Sequence, residues 1–193
     1  MKVAVIGATG FVGSHIVSEL AERNHEVTAI SRNTNENQLS ENVKSVTADV
    51  TNAAQLAEVL KGNDVVISAY NAGWTNPNLY NDFLAGSESI QQAVKEAGVK
   101  RLIIVGGAGS LLIDGKKIVD GPDFPEAYKA GAKAASDYLD IIRKEQNLDW
   151  TFFSPALAMN AGNPGERTGK YRTALDSPVF DADGNSYLSV ADT

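Results

Sequence analysis

Cysteine is absent from the 193-residue sequence, and only two histidines, His15 and His25, are present. The absence of cysteine excludes disulfide bonds, thiolate catalysis and zinc–cysteine sites. No carboxylates accompany the two histidines at metal-ligand spacing, so we predict that the protein binds no metal. The sequence also lacks a basic segment followed by a long apolar stretch. It therefore predicts neither a signal peptide nor a membrane span.

Positive charge is scarce as well. The chain has 17 basic and 24 acidic residues, a formal net charge of −7, and no run of basic residues. Nucleic acids and anionic membrane surfaces attract a basic face, so we expect neither as a partner. The length suits one domain, residues 1–193, with a full apolar core. The default expectation is a cytoplasmic enzyme.

The most informative segment follows the first apolar run. Residues 2–6 have the pattern of a strand buried on both faces, and they lead into Gly-Ala-Thr-Gly-Phe-Val-Gly and then into an amphipathic helix. In this context the three glycines permit a tight turn, a close approach of a pyrophosphate to the backbone, and close packing of helix on strand. The N–H groups at the start of the helix then face the phosphates. The segment predicts a dinucleotide site at Gly7, Thr9, Gly10, Phe11, Val12 and Gly13.

Apolar, β-branched runs alternate with helical patterns along the chain, which is typical of a parallel sheet with crossover helices. We predict strands at 2–6, 25–31, 44–48, 64–69, 100–105 and 148–153. Gly98 is expected to end the longest helix in the left-handed conformation. Asp123 and Glu126 have the spacing of a reciprocal cap for the next helix, which is predicted to run to about residue 146. The fold class is therefore α/β.

The G-x-x-G-x-x-G spacing resembles the nucleotide loop of the extended and atypical short-chain dehydrogenase/reductases. Residues 105–110, 123–128, 149–155 and 165–171 resemble the same family. Together these segments are similar to its NAD(P)H-binding subgroup, close to flavin/biliverdin-reductase-like and NmrA-like members. The resemblance covers nearly the whole chain. It implies a Rossmann-type doubly wound parallel sheet and a nicotinamide cofactor.

The end of the second strand bears on the choice of cofactor. NAD-specific folds place a carboxylate there for the ribose 2′-hydroxyl. This chain has Ser31, Arg32 and Asn33, and its next carboxylate is Glu36. Arginine suits a 2′-phosphate, because it is always charged and can bond bidentately. We therefore expect NADP(H) to be preferred over NAD(H), through Arg32 with help from Ser31 and Asn33; alternatively, Arg32 is a solvated loop residue.

The resemblance extends the cofactor site to two further strand ends. Asp49 and Val50 are similar to the family's acid–hydrophobe pair beside the adenine. Asp49 would accept a hydrogen bond from the adenine amino group, or it would cap the next helix. The family also places the segment after the fourth strand beside the ribose and diphosphate, which implicates Ser68, Ala69 and Tyr70. Ordinary packing under a loop is the alternative for Tyr70.

The usual short-chain enzymes protonate a developing alkoxide with a serine and a Tyr-x-x-x-Lys pair. No Tyr-x-x-x-Lys occurs in this sequence, and Lys129 stands where the tyrosine belongs. Tyr128 precedes Lys133 by five residues, which rotates the two side chains about 140° apart in a regular helix. Ser110 matches the family's serine. Ser110, Tyr128 and Lys133 are the candidates for catalysis that the resemblance leaves.

Flavins and quinones take hydride at a ring atom and can draw their proton from water. We therefore expect an NADPH-dependent reductase of such a small-molecule acceptor, with FMN or FAD among the substrates. Loops 70–80, 106–124 and 155–172 would enclose the acceptor, with Trp74, Tyr80 or Phe124 as the stacking face. One alternative is a non-catalytic NADP(H)-binding redox sensor. Another is an epimerase or dehydratase, although those enzymes need the Tyr–Lys pair and a larger substrate domain.

Residues 154–193 are expected to form a small cap on the carboxyl ends of the strands. The pattern predicts short strands at 168–173 and 178–190, the latter folded at Asp183-Gly184. Three basic residues at 167, 170 and 172 would share one face of the first strand, facing either a phosphate of the acceptor or solvent. In the family a helix usually starts at a Ser-x-x-Asp such as 189–192, so we expect a further helix to be missing. A homodimer is left open.

Overall fold

In the computed structural model, which describes residues 1–33 and 40–193, all eight described strands and four described α-helices lie before residue 154. The strands are β1 (Lys2–Ile6), β2 (Glu26–Ser31), β3 (Val43–Thr47), β4 (Val65–Ser68), β5 (Arg101–Val105), β6 (Leu112–Ile113), β7 (Lys116–Lys117) and β8 (Asp149–Phe153). The α-helices are α1 (Phe11–Glu22), α2 (Ala53–Leu60), α3 (Leu79–Glu96) and α4 (Glu126–Ile142). The predicted order of the six strands β1 to β5 and β8 and of the helices between them is confirmed, whereas β6 and β7 were not predicted.

Six of the strands form one sheet in the order β3-β2-β1-β4-β5-β8, with every neighbouring pair parallel. The chain first builds outward from β1 to β3, then crosses back to β4 and builds outward on the other side. This arrangement confirms the predicted Rossmann-type doubly wound sheet. The order reverses between β1 and β4, and folds of this class bind ligands in the crevice at the carboxyl ends of the strands there. β6 and β7 form a separate antiparallel hairpin.

The central strand β1 is buried on both faces, as its apolar run predicted. Its residues from Val3 to Ile6 are each at most 3% exposed. Ala4 and Ile6 belong to the larger core cluster, which includes residues of α2, α3 and α4, whereas Val3 and Val5 belong to a smaller cluster with α1. Helices therefore cover both faces of the sheet, and the strand ends are fixed by packing on each side.

Two helix ends were predicted with different success. Gly98 follows α3 with φ +76°, so the left-handed end expected of that glycine is confirmed. The reciprocal cap predicted for Asp123 and Glu126 is wrong, because α4 begins at Glu126 itself, directly after Pro125, with no side-chain cap. A capping box needs the acidic residue at the third helical position, and here it occupies the first.

The strands predicted within 168–173 and 178–190 are wrong. Residues 168–190 are mostly irregular, and the one regular element that reaches into them is a 3₁₀ turn at Val190–Asp192. The Asp192 carboxylate accepts hydrogen bonds from the N–H groups of Thr168 (2.9 Å) and Gly169 (2.8 Å). Gly169 has φ +68°, which a strand does not accommodate. Side-chain bonds to the backbone thus replace a strand ladder.

The predicted turn at Asp183-Gly184 does form, although it joins no strands. The Asp181 N–H donates to the Asn185 carbonyl (2.9 Å), and Gly184 has φ +81°. The expected common face for the three basic residues is also wrong. Arg167 pairs with Glu19 (3.0 Å) on α1, while the Arg172 guanidinium donates to the Phe180 carbonyl (2.7 Å). The C-terminal segment is therefore tied to α1 by an ion pair.

Candidate functional site

In the glycine turn between β1 and α1 the backbone packs so closely that there is no room for a Cβ atom at Gly7 or Gly13. Gly7 has φ +79°, and a Cβ there would lie 2.5 Å from the Ala69 carbonyl oxygen at the end of β4. A Cβ at Gly13 would lie 2.1 Å from the Gly7 carbonyl oxygen. Any other residue at either position would push apart the turn and the elements beneath it. The first and third glycines therefore have the turn-forming and packing roles that the sequence predicted.

The N-terminus of α1 faces outward from this turn. Gly10 occupies the N-cap position with no side-chain cap, and the first turn of α1 contains no acidic residue. The first N–H groups of a helix have no partner within the helix, and the helix dipole adds partial positive charge there. With no side chain of α1 to satisfy them, these N–H groups suit a phosphate.

A groove lies beside this helix end, at the carboxyl ends of β1 to β4. Its lining residues are Ile6, Gly7, Thr9, Gly10, Ile30, Ser31, Arg32, Ala48, Val50, Ala69, Tyr70 and Asn71. The groove brings together several residues predicted to contact a cofactor: Gly7, Thr9, Gly10, Ser31, Arg32, Val50, Ala69 and Tyr70. The sequence reasoning missed Ile6, Ile30, Ala48 and Asn71. Three of these lie at or next to a strand's carboxyl end, and that position is the signal that would have found them.

Other predicted cofactor residues lie outside the lining of the groove. Phe11 begins α1, and its ring meets His15 edge-on at a centroid distance of 5.9 Å. Ser68 is buried within β4. The Asn33 carbonyl accepts a hydrogen bond from the Ser31 hydroxyl (2.7 Å). Val12 follows Phe11 in the first turn of α1, and Gly13 is buried behind the glycine turn. Gly13 and Ser68 thus contribute through packing.

Asp49 lies between the groove-lining residues Ala48 and Val50. Its carboxylate accepts hydrogen bonds from the Thr51 N–H (2.9 Å) and hydroxyl (2.8 Å). These bonds, aided by the charge of Arg32, hold the pKa of Asp49 below its usual value. The alternative that Asp49 caps α2 is wrong, because Asn52 occupies that position. An ionised acceptor therefore stands near the edge of the groove.

The Tyr70 side chain takes part in packing against α3. Its ring stacks on Phe83 at 5.8 Å and fills space left by Gly86, where a Cβ would lie 2.5 Å from the ring. Its hydroxyl donates to the Asp82 carbonyl (3.0 Å). Burial raises the pKa of Tyr70, so its hydroxyl stays protonated at neutral pH. The ring has the packing role that the sequence left open, while the residue also forms part of the groove wall.

The catalytic candidates on α4 do not converge. The Lys133 ammonium donates to one oxygen of Asp137, and the Tyr80 hydroxyl donates to the other (2.7 Å). Tyr128 is 54% exposed and contacts Trp74. The hydrogen bond to Asp137 raises the pKa of Lys133. Partial burial opposes the ionisation of Asp137, but the hydrogen bonds that it accepts from Lys133 and Tyr80 outweigh this effect and lower its pKa. Lys133 thus forms a charged cluster without Tyr128, as the five-residue spacing predicted.

Ser110 has a different set of partners. It is buried in a 3₁₀ turn (Ala108–Ser110) after β5, and its hydroxyl donates to the Gly107 carbonyl (2.8 Å). Its Oγ also lies 2.8 Å from the Oγ of Ser154, which follows β8. Because β5 and β8 are neighbours, this hydroxyl pair lies at the carboxyl edge of the sheet. Sequence reasoning missed Ser154 and Asp137, although Asp137 stands four residues after Lys133, at ion-pair spacing on a helix.

Residues 1–33 and 40–193 contain neither a metal-binding cluster nor a membrane-spanning helix. Within these ranges no cluster of three His, Asp or Glu side chains is arranged to hold a metal ion. No helix in the same ranges combines the length and the apolar character needed to cross a bilayer.

Comparison with known proteins identifies a family whose members resemble this chain. The model of a family described as NAD(P)H-binding matches residues 7–193, starting at the first glycine of the turn. The protein YwnB of Bacillus subtilis is 35% identical, with 100% of this chain and 88% of YwnB covered.

Two solved structures are similar over almost the whole chain. The "putative epimerase" of Bacteroides thetaiotaomicron has a TM-score of 0.90 and 42% identity, covering 99% of this chain and 86% of that one. The "putative NADH-flavin reductase" of Streptococcus pneumoniae has a TM-score of 0.82 and 38% identity, covering 100% and 88%.

These matches agree with the geometry of the turn and the groove. The resemblance to atypical short-chain dehydrogenase/reductases is confirmed, and a nicotinamide dinucleotide is the class of cofactor that it implies. A tight glycine turn, an uncapped helix start and apolar strand ends fit such a molecule. The chain therefore belongs to the NAD(P)H-binding family of Rossmann-fold proteins.

Proposed function

We propose that this protein is an NAD(P)H-dependent reductase of a flavin- or quinone-like acceptor. The observation that carries the proposal is the separation of Tyr128 from Lys133 beside an intact dinucleotide groove. Lys133 donates to Asp137, which also accepts from the Tyr80 hydroxyl, whereas Tyr128 contacts Trp74. Reduction of a carbonyl by the usual route needs the tyrosine and the lysine at one point, whereas reduction of a flavin or quinone does not need this pair. The name of the Streptococcus pneumoniae relative supports the same class of reaction.

In this proposal the backbone of the glycine turn holds the cofactor's diphosphate. The N–H groups at the start of α1 donate to it, and Thr9 and Gly10, both exposed in the turn, lie beside it. Ile30, Ala48 and Val50 provide an apolar wall for the adenine, with the ionised Asp49 at its edge. When bound, the nicotinamide supplies a hydride. The remaining task of the protein is to hold the acceptor close and to limit the access of water.

NADP(H) is proposed as the preferred form. Arg32 lines the groove immediately after β2, where an NAD-specific fold has a carboxylate. The Asp49 carboxylate is hydrogen-bonded to Thr51 and forms no ion pair with Arg32 within 4 Å. The Ser31 hydroxyl is bonded to the Asn33 carbonyl, which fixes the turn that carries Arg32. This arrangement supports a guanidinium positioned for a 2′-phosphate.

The proton balance of the reaction needs no Tyr–Lys pair. One hydride and one proton reduce a quinone to a hydroquinone, or an oxidised flavin to its two-electron-reduced form. Water can supply the proton, and the Ser110–Ser154 hydroxyl pair offers a hydrogen-bonding group at the carboxyl edge. Ser154 is partly exposed while Ser110 is buried, so Ser154 is the member that a ligand can reach. We assign it a positioning role.

A second candidate is a non-catalytic protein that binds NADP(H) and reports its redox state to a partner. The same separation of Tyr128 and Lys133 favours it. The name of the Bacteroides thetaiotaomicron relative suggests a third candidate, an epimerase. That reaction depends on the Tyr–Lys pair in related enzymes, so the geometry favours it least.

One set of assays separates the three candidates. Oxidation of NADPH and of NADH is followed by absorbance with FMN, FAD and a naphthoquinone, each with and without the protein. Enzyme-dependent oxidation with at least one acceptor is expected. Tight NADPH binding with no oxidation in any mixture would favour the sensor. Rapid reduction of a simple ketone that is lost in Tyr128→Phe would overturn the proposed mechanism.

A further inference from the structure

Two large aromatic side chains are exposed beside each other at the carboxyl edge of the sheet. Trp74 is 59% exposed and Tyr128 is 54% exposed. Their ring centroids are 5.7 Å apart and the ring planes meet at 90°. We call this pair the aromatic corner. Such a corner presents a flat surface with a wall at its side, and the Tyr128 hydroxyl adds a polar group.

The indole of Trp74 is supported from below by α4. A Cβ at Gly131 would lie 2.8 Å from Cζ3 of Trp74 and 3.2 Å from Cδ2 of Leu79. Glycine at position 131 therefore lets the indole rest directly on the helix backbone, next to Leu79. One side of the indole is packed and the rest is open to solvent. A ring held in this way loses little conformational freedom when a second ring stacks on it.

Local packing places the aromatic corner next to the strand ends. Trp74 lies six residues after β4, and Tyr128 is in the first turn of α4. Ala132, adjacent to Gly131, packs on the turn that follows β5, since a Cβ at Gly109 would lie 3.0 Å from the Ala132 Cβ. The corner thus borders the carboxyl ends of β4 and β5. The adjoining groove ends at Asn71, three residues before Trp74.

The other two stacking residues that the sequence suggested are less suitable. Tyr80 is partly buried, and its hydroxyl is held by Asp137. Phe124 is also partly buried, in the segment before α4. Trp74 has the most open ring of the three, and Tyr128 was not expected to contribute a ring at all.

We propose that the aromatic corner is the binding site for the acceptor, with an electron-poor planar ring stacked on Trp74 and flanked by Tyr128. This inference rests on the proposed function and names its second binding site. Indole is electron-rich, whereas an oxidised flavin or quinone is electron-poor, so stacking favours the oxidised acceptor over its reduced product. The corner therefore binds the substrate and releases the product.

Tryptophan fluorescence tests the binding step directly. The chain has two tryptophans, and the other, Trp150, lies in β8, so Trp150→Phe leaves Trp74 as the only indole. Titration of this variant with FMN and with a naphthoquinone should give saturable quenching, weaker with reduced FMN. In the otherwise natural protein, Trp74→Ala should raise the acceptor KM by about fivefold to tenfold, and Trp74→Phe should restore most of it. The NADPH dissociation constant should not change.

Leu175→Ala is the control for loss of an exposed apolar side chain, because Leu175 is 95% exposed and is not part of the aromatic corner. An unchanged KM in Trp74→Ala, with turnover intact, would refute the aromatic corner and leave the reductase proposal standing. Saturable quenching of Trp74 with no turnover of any acceptor would refute the reductase and leave the binding site standing. Burial of Trp74 by a second copy, seen as protein-concentration-dependent emission together with light scattering of a dimer, would overturn the inference.

Discussion

Arg32 offers the most direct test of the cofactor half of the site. Replacing it with alanine removes a guanidinium from the rim of the groove at the end of β2. The backbone there is held by the Ser31–Asn33 hydrogen bond and by the pairing of β2 with β1 and β3, so the fold should be unaffected. Affinity for NADPH should fall, and affinity for NADH should stay the same.

The size of the effect follows from the exposure of Arg32. A hydrogen bond to a charged group contributes about 1.5–3 kcal/mol. Water screens the exposed Arg32 side chain, so we take the lower limit of about 1.5 kcal/mol, which corresponds to about tenfold in dissociation constant. The natural protein should therefore prefer NADPH by about tenfold or more, and Arg32→Ala should bind the two nucleotides almost equally.

Isothermal titration with NADPH and NADH, on the natural protein and on the variant, measures this difference. Arg23→Ala is a suitable control, because Arg23 is an exposed arginine paired with Glu19 at the opposite end of α1. It should leave both affinities unchanged. Equal affinities for the two nucleotides in the natural protein, unaltered by Arg32→Ala, would refute the role given to Arg32.

Three further changes test other parts of the structure. Gly13→Ala puts a Cβ 2.1 Å from the Gly7 carbonyl oxygen, so it should destabilise the fold by about 2–4 kcal/mol in urea unfolding and abolish NADPH binding at micromolar protein. Lys133→Ala should lower flavin or quinone turnover by less than about tenfold, whereas a larger loss would make Lys133 part of the proton-donating machinery. Glu145 accepts hydrogen bonds from the Asn147 N–H (2.7 Å) and from Lys95 (3.0 Å), which lower its pKa to about 2. Because this pKa lies below that of glutamate in the unfolded chain, Glu145→Gln should lower the free energy of unfolding by about 1 kcal/mol at neutral pH, after allowance for screening. The difference between the natural protein and the variant should disappear as the pH falls from about 5 to about 2. A difference that does not depend on pH would contradict this role of Glu145.

The doubly wound sheet was predictable because local signals agree with the fold. The central strand β1 is buried on both faces, and short apolar runs and helix patterns follow one another along the chain, so periodicity alone gives the order of the elements. The glycine turn was predictable for the same reason, since each glycine meets a backbone atom that is close in sequence or at a strand end. Strand prediction from alternating residues was wrong after residue 153, where exposed residues form turns that the Asp192 and Asp181 carboxylates hold. In this segment the alternation of apolar and polar residues does not reflect a buried strand face, so it does not predict strands.

The residues of the candidate site that lie at strand ends were largely predicted. The residues that depend on contacts between side chains far apart in the sequence were missed. Tyr80 and Asp137 are 57 residues apart, and Ser110 and Ser154 are 44 apart. No spacing in the sequence indicates these contacts, since they arise from the packing of α3 on α4 and from the pairing of β5 with β8. The divergence of Tyr128 and Lys133, by contrast, follows from the geometry of a single helix.

The lining of the groove has a consequence for how this protein can diversify. Every lining residue lies between Ile6 and Asn71, at or just after the carboxyl ends of β1 to β4. The groups assigned to the acceptor, from Trp74 to Ser154, all come later in the chain. Under the proposed function, substitutions after residue 71 would change the acceptor and leave unchanged the nucleotide specificity proposed for the earlier residues. One cofactor module can in this way serve a series of proteins with different second substrates.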